Sequence, residues 1–143
     1  MVPQSVVSQH RGTFGGVGMR YWATVGETVL KSKAGVPEAA VVTTAYVREP
    51  RDRSRPVTFR FNGGPGSGSG GLQVGAFGPK RVAIPSDARD DGAPPYPLLD
   101  NPDSLLDFTD LVLIDPSGTG FSVLLPGAKT IMGFSRMRGR WPR

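Results

Sequence analysis

The feature that most constrains this chain is a glycine-rich stretch that directly follows a short strand-like run. The run PVTFR leads into FNGGPGSGSGG at residues 61–71. Loops this rich in glycine bring bare backbone N–H groups up to a ligand, link domains flexibly, or turn the chain sharply between packed elements. A flexible linker is a poor interpretation here, because strand-like runs that can form a core lie on both sides. Ligand contact and a sharp turn remain.

The N-terminal third of the chain predicts an antiparallel meander. RYWATV (residues 20–25) and ETVLKSK (residues 27–33) are separated by a single glycine, which predicts a hairpin. The β-branched run AAVVTTAYVRE (residues 39–49) predicts a third strand beside them.

Two further runs predict strands on either side of the glycine loop. VTFRF alternates apolar and polar residues and places Val57, Phe59 and Phe61 on one face. LVLI (residues 111–114) is a continuous apolar run, which is typical of a strand covered on both faces in a parallel sheet. We therefore predict an α/β fold, with an antiparallel N-terminal meander followed by parallel strands.

Size and composition set broad limits. The chain has 143 residues, the size of one ordinary domain, and no cysteine, so it forms neither a disulfide framework nor a thiolate metal site. No apolar run approaches the roughly 18–20 residues of a membrane span. The first residues lack the basic head and apolar stretch of a signal peptide, and the localisation stays open.

The net charge of +5 is confined to one end of the chain. Residues 1–122 contain 12 Lys or Arg and 12 Asp or Glu, so this part is neutral. The excess consists of Lys129, Arg136, Arg138, Arg140 and Arg143. Because a nucleic-acid footprint is spread over a folded face, this distribution predicts no nucleic-acid partner.

A nucleotide-binding α/β domain is a minor alternative. Gly66, Gly68 and Gly71 satisfy G-x-G-x-x-G after a strand. That fingerprint requires a helix whose N-terminus meets the pyrophosphate. Two glycines and a proline within residues 75–79 leave little room for one.

Several motifs together carry a family resemblance. FNGGPGS, GAFGPK and NPDSLLDFTDLVLIDPSGTGFS, in this order and spacing, closely resemble the serine carboxypeptidase family of α/β hydrolases. The resemblance is strong over residues 56–122. It implies that residues 1–122 are the N-terminal portion of an α/β-hydrolase domain with an incomplete sheet. Residues 123–143 form a basic tail without family resemblance.

The resemblance also implies roles for three loop residues. The backbone N–H of Gly64 would be one donor of the oxyanion hole. Asn62 and the backbone of Gly63 would bind the terminal α-carboxylate of the substrate, so the substrates would be peptide or protein C-termini. No cofactor, metal or membrane partner is implied. In the competing structural interpretation, Asn62 only caps the turn.

The rest of the catalytic apparatus is missing from the sequence. No serine lies in a G-x-S-x-G motif, and His10 is the only histidine. Asp115 precedes a proline and is expected to form a turn, while Ser117 and Ser122 have no base beside them. We therefore expect a carboxypeptidase fragment that is inactive alone. The alternative is a non-catalytic binding or interaction module that retains the glycine-rich loops.

Overall fold

The computed structural model describes residues 2–63, 66–84, 94–126 and 128. Its strands are β1 (Ser5–Phe14), β2 (Val17–Lys31), β3 (Pro37–Glu49), β4 (Val57–Phe61), β5 (Lys80–Val82), β6 (Leu98–Asp100), β7 (Asp110–Ile114) and β8 (Val123–Leu124). The helical segments are α1 (Gly70–Leu72), a π-helical turn (Gln73–Phe77) and a 3₁₀ turn (Leu105–Asp107).

Six strands form one mixed sheet in the order β1-β2-β3-β7-β4, with β8 also paired to β3. β4 and β7 are parallel, and the other pairs in this sheet are antiparallel. β5 and β6 form a separate antiparallel ribbon.

The predicted α/β class, an incomplete α/β-hydrolase sheet in which parallel strands follow an antiparallel N-terminal meander, is wrong. Strands hold 49% of the described residues and helices 10%, and the described sheet contains a single parallel pair. The connection from β4 to β7 shows why helices are scarce. Its helical turns contain Gly70, Gly71 and Gly75, and each interior glycine costs a helix about 0.5–1 kcal/mol relative to alanine. The chain therefore forms short turns there instead of a crossover helix.

The predicted hairpin around Gly26 is also wrong. β2 runs continuously through Gly26, which pairs with Ser5 on β1 and with Thr43 on β3. The chain reverses instead at Gly15 and Gly16, whose φ angles are 55° and 77°. Two consecutive positive φ angles are the requirement of a tight type I′ hairpin turn.

The hydrophobic core lies on one face of the sheet. Leu111 and Leu113 of β7 are fully buried there, together with Leu106 of the 3₁₀ turn. The cluster is completed by Phe14, Met19, Tyr21 and Tyr46 from the first three strands. This packing fixes the position of β7, and with it the loop that follows.

The face of β4 that carries its apolar residues is open. Val57, Phe59 and Phe61 are 49%, 60% and 66% exposed. Val112 of β7 shares this face and is only half-buried, so LVLI is not covered on both faces. Its alternate residues instead divide between the core and this open face.

The predicted tail begins with a short strand. Val123 and Leu124 form β8 and pair with Ala40 and Ala39 of β3. Most of the remaining tail lies outside the described residues. No helix in the described part of the chain has the length and hydrophobicity needed to cross a membrane.

Candidate functional site

The two glycine-rich loops begin at the same edge of the sheet. Phe61, the last residue of β4, pairs in parallel register with Ile114, the last residue of β7. Asn62 and Asp115 follow these positions directly. In open α/β sheets ligands bind outside the carboxyl ends of adjacent parallel strands, and β4 and β7 form one such pair in this mixed sheet. The candidate site is therefore this edge, formed by the loop after β4 and the loop after β7.

Asp115 connects the two loops. Its Oδ1 accepts hydrogen bonds from the backbone N–H of Ser69 at 2.6 Å and from the Ser69 hydroxyl at 2.7 Å. Its Oδ2 accepts the backbone N–H of Phe121 at 2.9 Å. The residue is 5% exposed. One buried carboxylate thus holds the end of the first loop against the end of the second.

The pKa of Asp115 reflects this geometry. Burial alone would raise it, but the hydrogen bonds from Phe121 and Ser69 favour the charged form and bring the pKa below its ordinary value. Asp115 is therefore ionised at neutral pH. Because both oxygens are occupied by loop donors, it serves as a structural clamp, as expected for a turn-forming residue.

Glycine is required where the loops touch. A Cβ at Gly68 would lie 2.8 Å from the Gly120 Cα and 3.2 Å from Oδ1 of Asp115. Gly120 has a φ of 54°, and a Cβ there would overlap the same carboxylate. The two backbones can approach this closely only without side chains.

Ser122 completes the attachment of the second loop to the sheet. Its hydroxyl donates to the carbonyl oxygen of Asp115 at 2.7 Å and accepts the backbone N–H of Val42 at 2.8 Å. The side chain is buried, with 3% of the residue exposed. Ser122 therefore anchors the loop and is not a free nucleophile.

Asn62 and Gly63 lie at the open side of the same edge. The Gly63 N–H donates to Oδ1 of Asn62 at 3.0 Å, and Nδ2 of Asn62 donates to the Gly68 carbonyl at 3.4 Å. Asn62 thus spans its own loop, as the capping interpretation predicts. Gly63 is exposed, and a Cβ built on it would meet nothing within 4 Å. The predicted oxyanion donor, Gly64, lies outside the described residues.

His10 is far from this edge. It lies exposed on β1, shares a 2.7 Å hydrogen bond with the Ser8 hydroxyl, and stacks on Tyr21 with ring centroids 5.4 Å apart. β1 is three strand positions from β7, which corresponds to about 14 Å at roughly 4.8 Å per strand. His10 therefore cannot act as a general base for a group at the ends of β4 and β7.

The described residues also bear on metal and nucleotide binding. They contain no group of three or more metal-binding side chains. The helix after the glycine loop, α1, has three residues, and a helix this short supplies little dipole for a phosphate. This geometry disfavours the dinucleotide alternative.

Sequence reasoning missed Ser69, which supplies two of the three hydrogen bonds to Asp115. The partners are 46 residues apart, and no periodicity connects them. The sequence offered only a chemical indication of this contact, because an aspartate at the end of a buried strand needs hydrogen-bond donors nearby.

No protein-family model matches the chain, and no curated protein sequence is significantly similar to it.

Proposed function

We propose that this chain is the loop-bearing part of a serine-type carboxypeptidase, which binds the free C-terminus of a peptide at Asn62 and Gly63. The observation that carries the proposal is the junction of the two motif loops. The loop that begins with FNGGPGS and the loop DPSGTGFS are joined at one edge of the sheet by the buried Asp115 carboxylate, which accepts from Ser69 of the first loop and Phe121 of the second. The order of motifs over residues 56–122, which resembles the serine carboxypeptidases, supports the same function.

The donors at this edge suit a carboxylate. Asn62 has a second side-chain N–H besides the one directed at Gly68, and Gly63 presents its N–H in an exposed loop. Both donors are neutral, so they bind an anion without requiring a buried counter-charge. Binding replaces the neutral 3.0 Å bond between Gly63 and Asn62 with a bond to a charged oxygen, and such a bond is roughly twice as strong.

The proposal assigns recognition to this chain and not the covalent chemistry. Ser122 and Asp115 are engaged in structural bonds, and His10 lies on a distant strand. Gly64 would contribute one oxyanion donor to a complete site, where loss of such a donor costs about 2.7–4 kcal/mol of transition-state stabilisation. We expect the chain alone to show neither peptide turnover nor labelling by a fluorophosphonate.

The test compares a short peptide bearing a free C-terminus with the same peptide as its C-terminal amide, by calorimetry. The free acid is expected to bind, and Asn62→Ala to weaken it about tenfold, the effect of losing one charge-assisted hydrogen bond. Gln4→Ala removes an exposed amide from the N-terminal segment and is expected to leave binding unchanged. Equal affinity for acid and amide, or an unchanged Asn62→Ala, would contradict the proposal.

A second candidate is a non-catalytic binding module. It is favoured by the finding that Asp115, Ser69 and Ser122 all serve structural bonds at this edge. In such a module the loops form a binding surface, and the ligand does not require a free C-terminal carboxylate. Binding of the amidated peptide as strongly as the free acid would support it.

A further inference from the structure

A groove of about 730 Å³ lies between the helical turns after the glycine loop and the β5–β6 ribbon. Its walls are mainly aliphatic. The lining residues are Gly71, Val74, Gly75, Arg81, Val82, Ala83, Ile84 and Leu99. Ile84 and Leu99 are 69% and 49% exposed, so apolar surface is presented to the groove without a cover among the described residues.

Two glycines keep the groove open on its helical side. Gly71 and Gly75 are four residues apart and both line it. A Cβ built on either one would meet nothing within 4 Å. The space beside these backbones is therefore available to a ligand, and a larger side chain at either position would occupy it.

Arg81 is the one positively charged residue among the described residues that line the groove. Its ion pair within the described residues is to Asp103, with 3.7 Å between Nη1 and Oδ2. The Asp103 side chain is 81% exposed, and pairs of this kind contribute little. None of the described residues that line the groove is acidic. Arg81 is therefore available to a stronger partner, and a guanidinium binds a carboxylate through two parallel hydrogen bonds.

We propose that this groove binds a small apolar carboxylate, with its carboxylate on Arg81 and its hydrocarbon chain along Val74, Ile84 and Leu99. Aliphatic walls with one well-placed polar group are typical of small-molecule sites of this volume. The one cation among the described lining residues does not balance a polyphosphate, and these residues include no aromatic ring on which a base would stack. The groove is separate from the residues assigned to the peptide C-terminus, so this proposal does not depend on the proposed function.

The test is an NMR titration of the full chain with octanoate, with octanol as the uncharged comparison. Octanoate is expected to bind saturably, with a dissociation constant of about 1 mM or below, and to shift the amide signals of Gly71, Gly75 and Arg81. Arg81→Gln is expected to weaken octanoate about tenfold and to remove its preference over octanol. Arg51→Gln, at an exposed arginine in the β3–β4 turn, is the charge-matched control.

A second set of variants fills the groove with a larger side chain. Gly75→Leu is expected to weaken octanoate about tenfold or more, because the side chain occupies the ligand's space. Gly70→Leu is the matched control, since Gly70 also has open space but does not line the groove. Gly71→Leu tests the same wall if the first variant does not fold. Absence of saturable binding, equal affinity in the Gly70→Leu and groove-filling variants, or shifts confined to the open face of β4 would overturn the proposal.

Discussion

Replacing Asp115 with asparagine tests whether one carboxylate holds the two loops together. Asp115→Asn preserves shape and leaves one oxygen, which still accepts from Ser69. The new amide group then faces the N–H of Phe121, so a donor meets a donor where the carboxylate accepted a 2.9 Å bond. The site is 5% exposed, so water does not replace the lost acceptor.

The expected loss in the free energy of unfolding is about 3 kcal/mol. A hydrogen bond to a charged group contributes about 1.5–3 kcal/mol, and a bond to a neutral acceptor about 0.5–1.5 kcal/mol. The variant loses the first kind at Phe121 and weakens two bonds from Ser69, while it no longer buries a charge. Against a typical total of about 5–15 kcal/mol, this loss is readily measured by urea unfolding followed by circular dichroism.

Asp52 provides a matched control. Its Oδ1 accepts from the Ser54 N–H at 2.8 Å and from the Ser54 hydroxyl at 2.6 Å, much as Asp115 accepts from Ser69, but Asp52 is exposed. Asp52→Asn is therefore expected to cost clearly less than Asp115→Asn. Equal losses in the two variants would refute the clamp.

The pH dependence has a definite sign. Hydrogen bonds from Phe121 and Ser69 outweigh the effect of burial and make the folded-state pKa of Asp115 lower than its unfolded value of about 3.9. Its ionised form therefore stabilises the fold above the unfolded pKa, and this contribution is lost as the pH falls through the folded pKa. The stability gap between the native chain and Asp115→Asn should narrow below about pH 4. A gap that stays constant through this range would contradict the assignment.

Two further substitutions test the packing around the site. Gly68→Ala places a Cβ 2.8 Å from the Gly120 Cα and is expected to lower the free energy of unfolding by about 1–3 kcal/mol, as measured by urea unfolding. The control, Gly70→Ala, places a Cβ that meets nothing within 4 Å and should be neutral or slightly stabilising. Equal effects of the two variants would contradict the close approach of the loops. Arg55→Ala removes the guanidinium that lies 3.2 Å from the Asp110 carboxylate, whose side chain is only 11% exposed. This variant is expected to lower the free energy of unfolding by about 3–5 kcal/mol in the same assay. A loss below about 1 kcal/mol would show that the ion pair does not stabilise the fold.

The N-terminal hairpin shows what local patterns predict and what they miss. The strand character of the runs around Gly26 was predicted, but the turn was placed at the wrong glycine. An isolated glycine is tolerated inside a long strand, as Gly26 is in β2. Consecutive glycines supply the two positive φ angles that a tight hairpin requires, as Gly15 and Gly16 do. The Gly15–Gly16 dipeptide was therefore a stronger indication of the hairpin turn than the isolated Gly26.

The predicted α/β class is wrong because it was inferred from two strand-like runs around a glycine-rich crossover, and these runs do not require helices that cover a parallel sheet. The stretch from Gly66 to Gly78 contains too many glycines for a stable helix, and the structure forms α1 and one π-helical turn there. The apolar alternation of β4 was recognised, but alternation does not reveal which face is covered. Phe59 and Phe61 lie on the open face because the core packs against the other one.

The candidate site was predictable only in part. The position of both loops at one edge follows from the parallel pairing of β4 and β7, because Asn62 and Asp115 directly follow the paired strand ends Phe61 and Ile114. The clamp between Asp115 and Ser69 was not predictable, since it pairs residues that are far apart in sequence and depends on how Gly68 approaches Gly120.

The most direct test of carboxylate recognition is an NMR titration of the chain with a peptide that has a free C-terminus, read at the amide protons of Gly63 and the Asn62 side chain. These signals are expected to move downfield and saturate, because the Gly63 N–H exchanges its neutral acceptor for a charged oxygen and the second side-chain N–H of Asn62 donates to the same carboxylate. The C-terminal amide of the same peptide is expected to leave them in place. Identical shifts with acid and amide, or shifts confined to residues away from the ends of β4 and β7, would contradict the assignment of this edge to a peptide C-terminus.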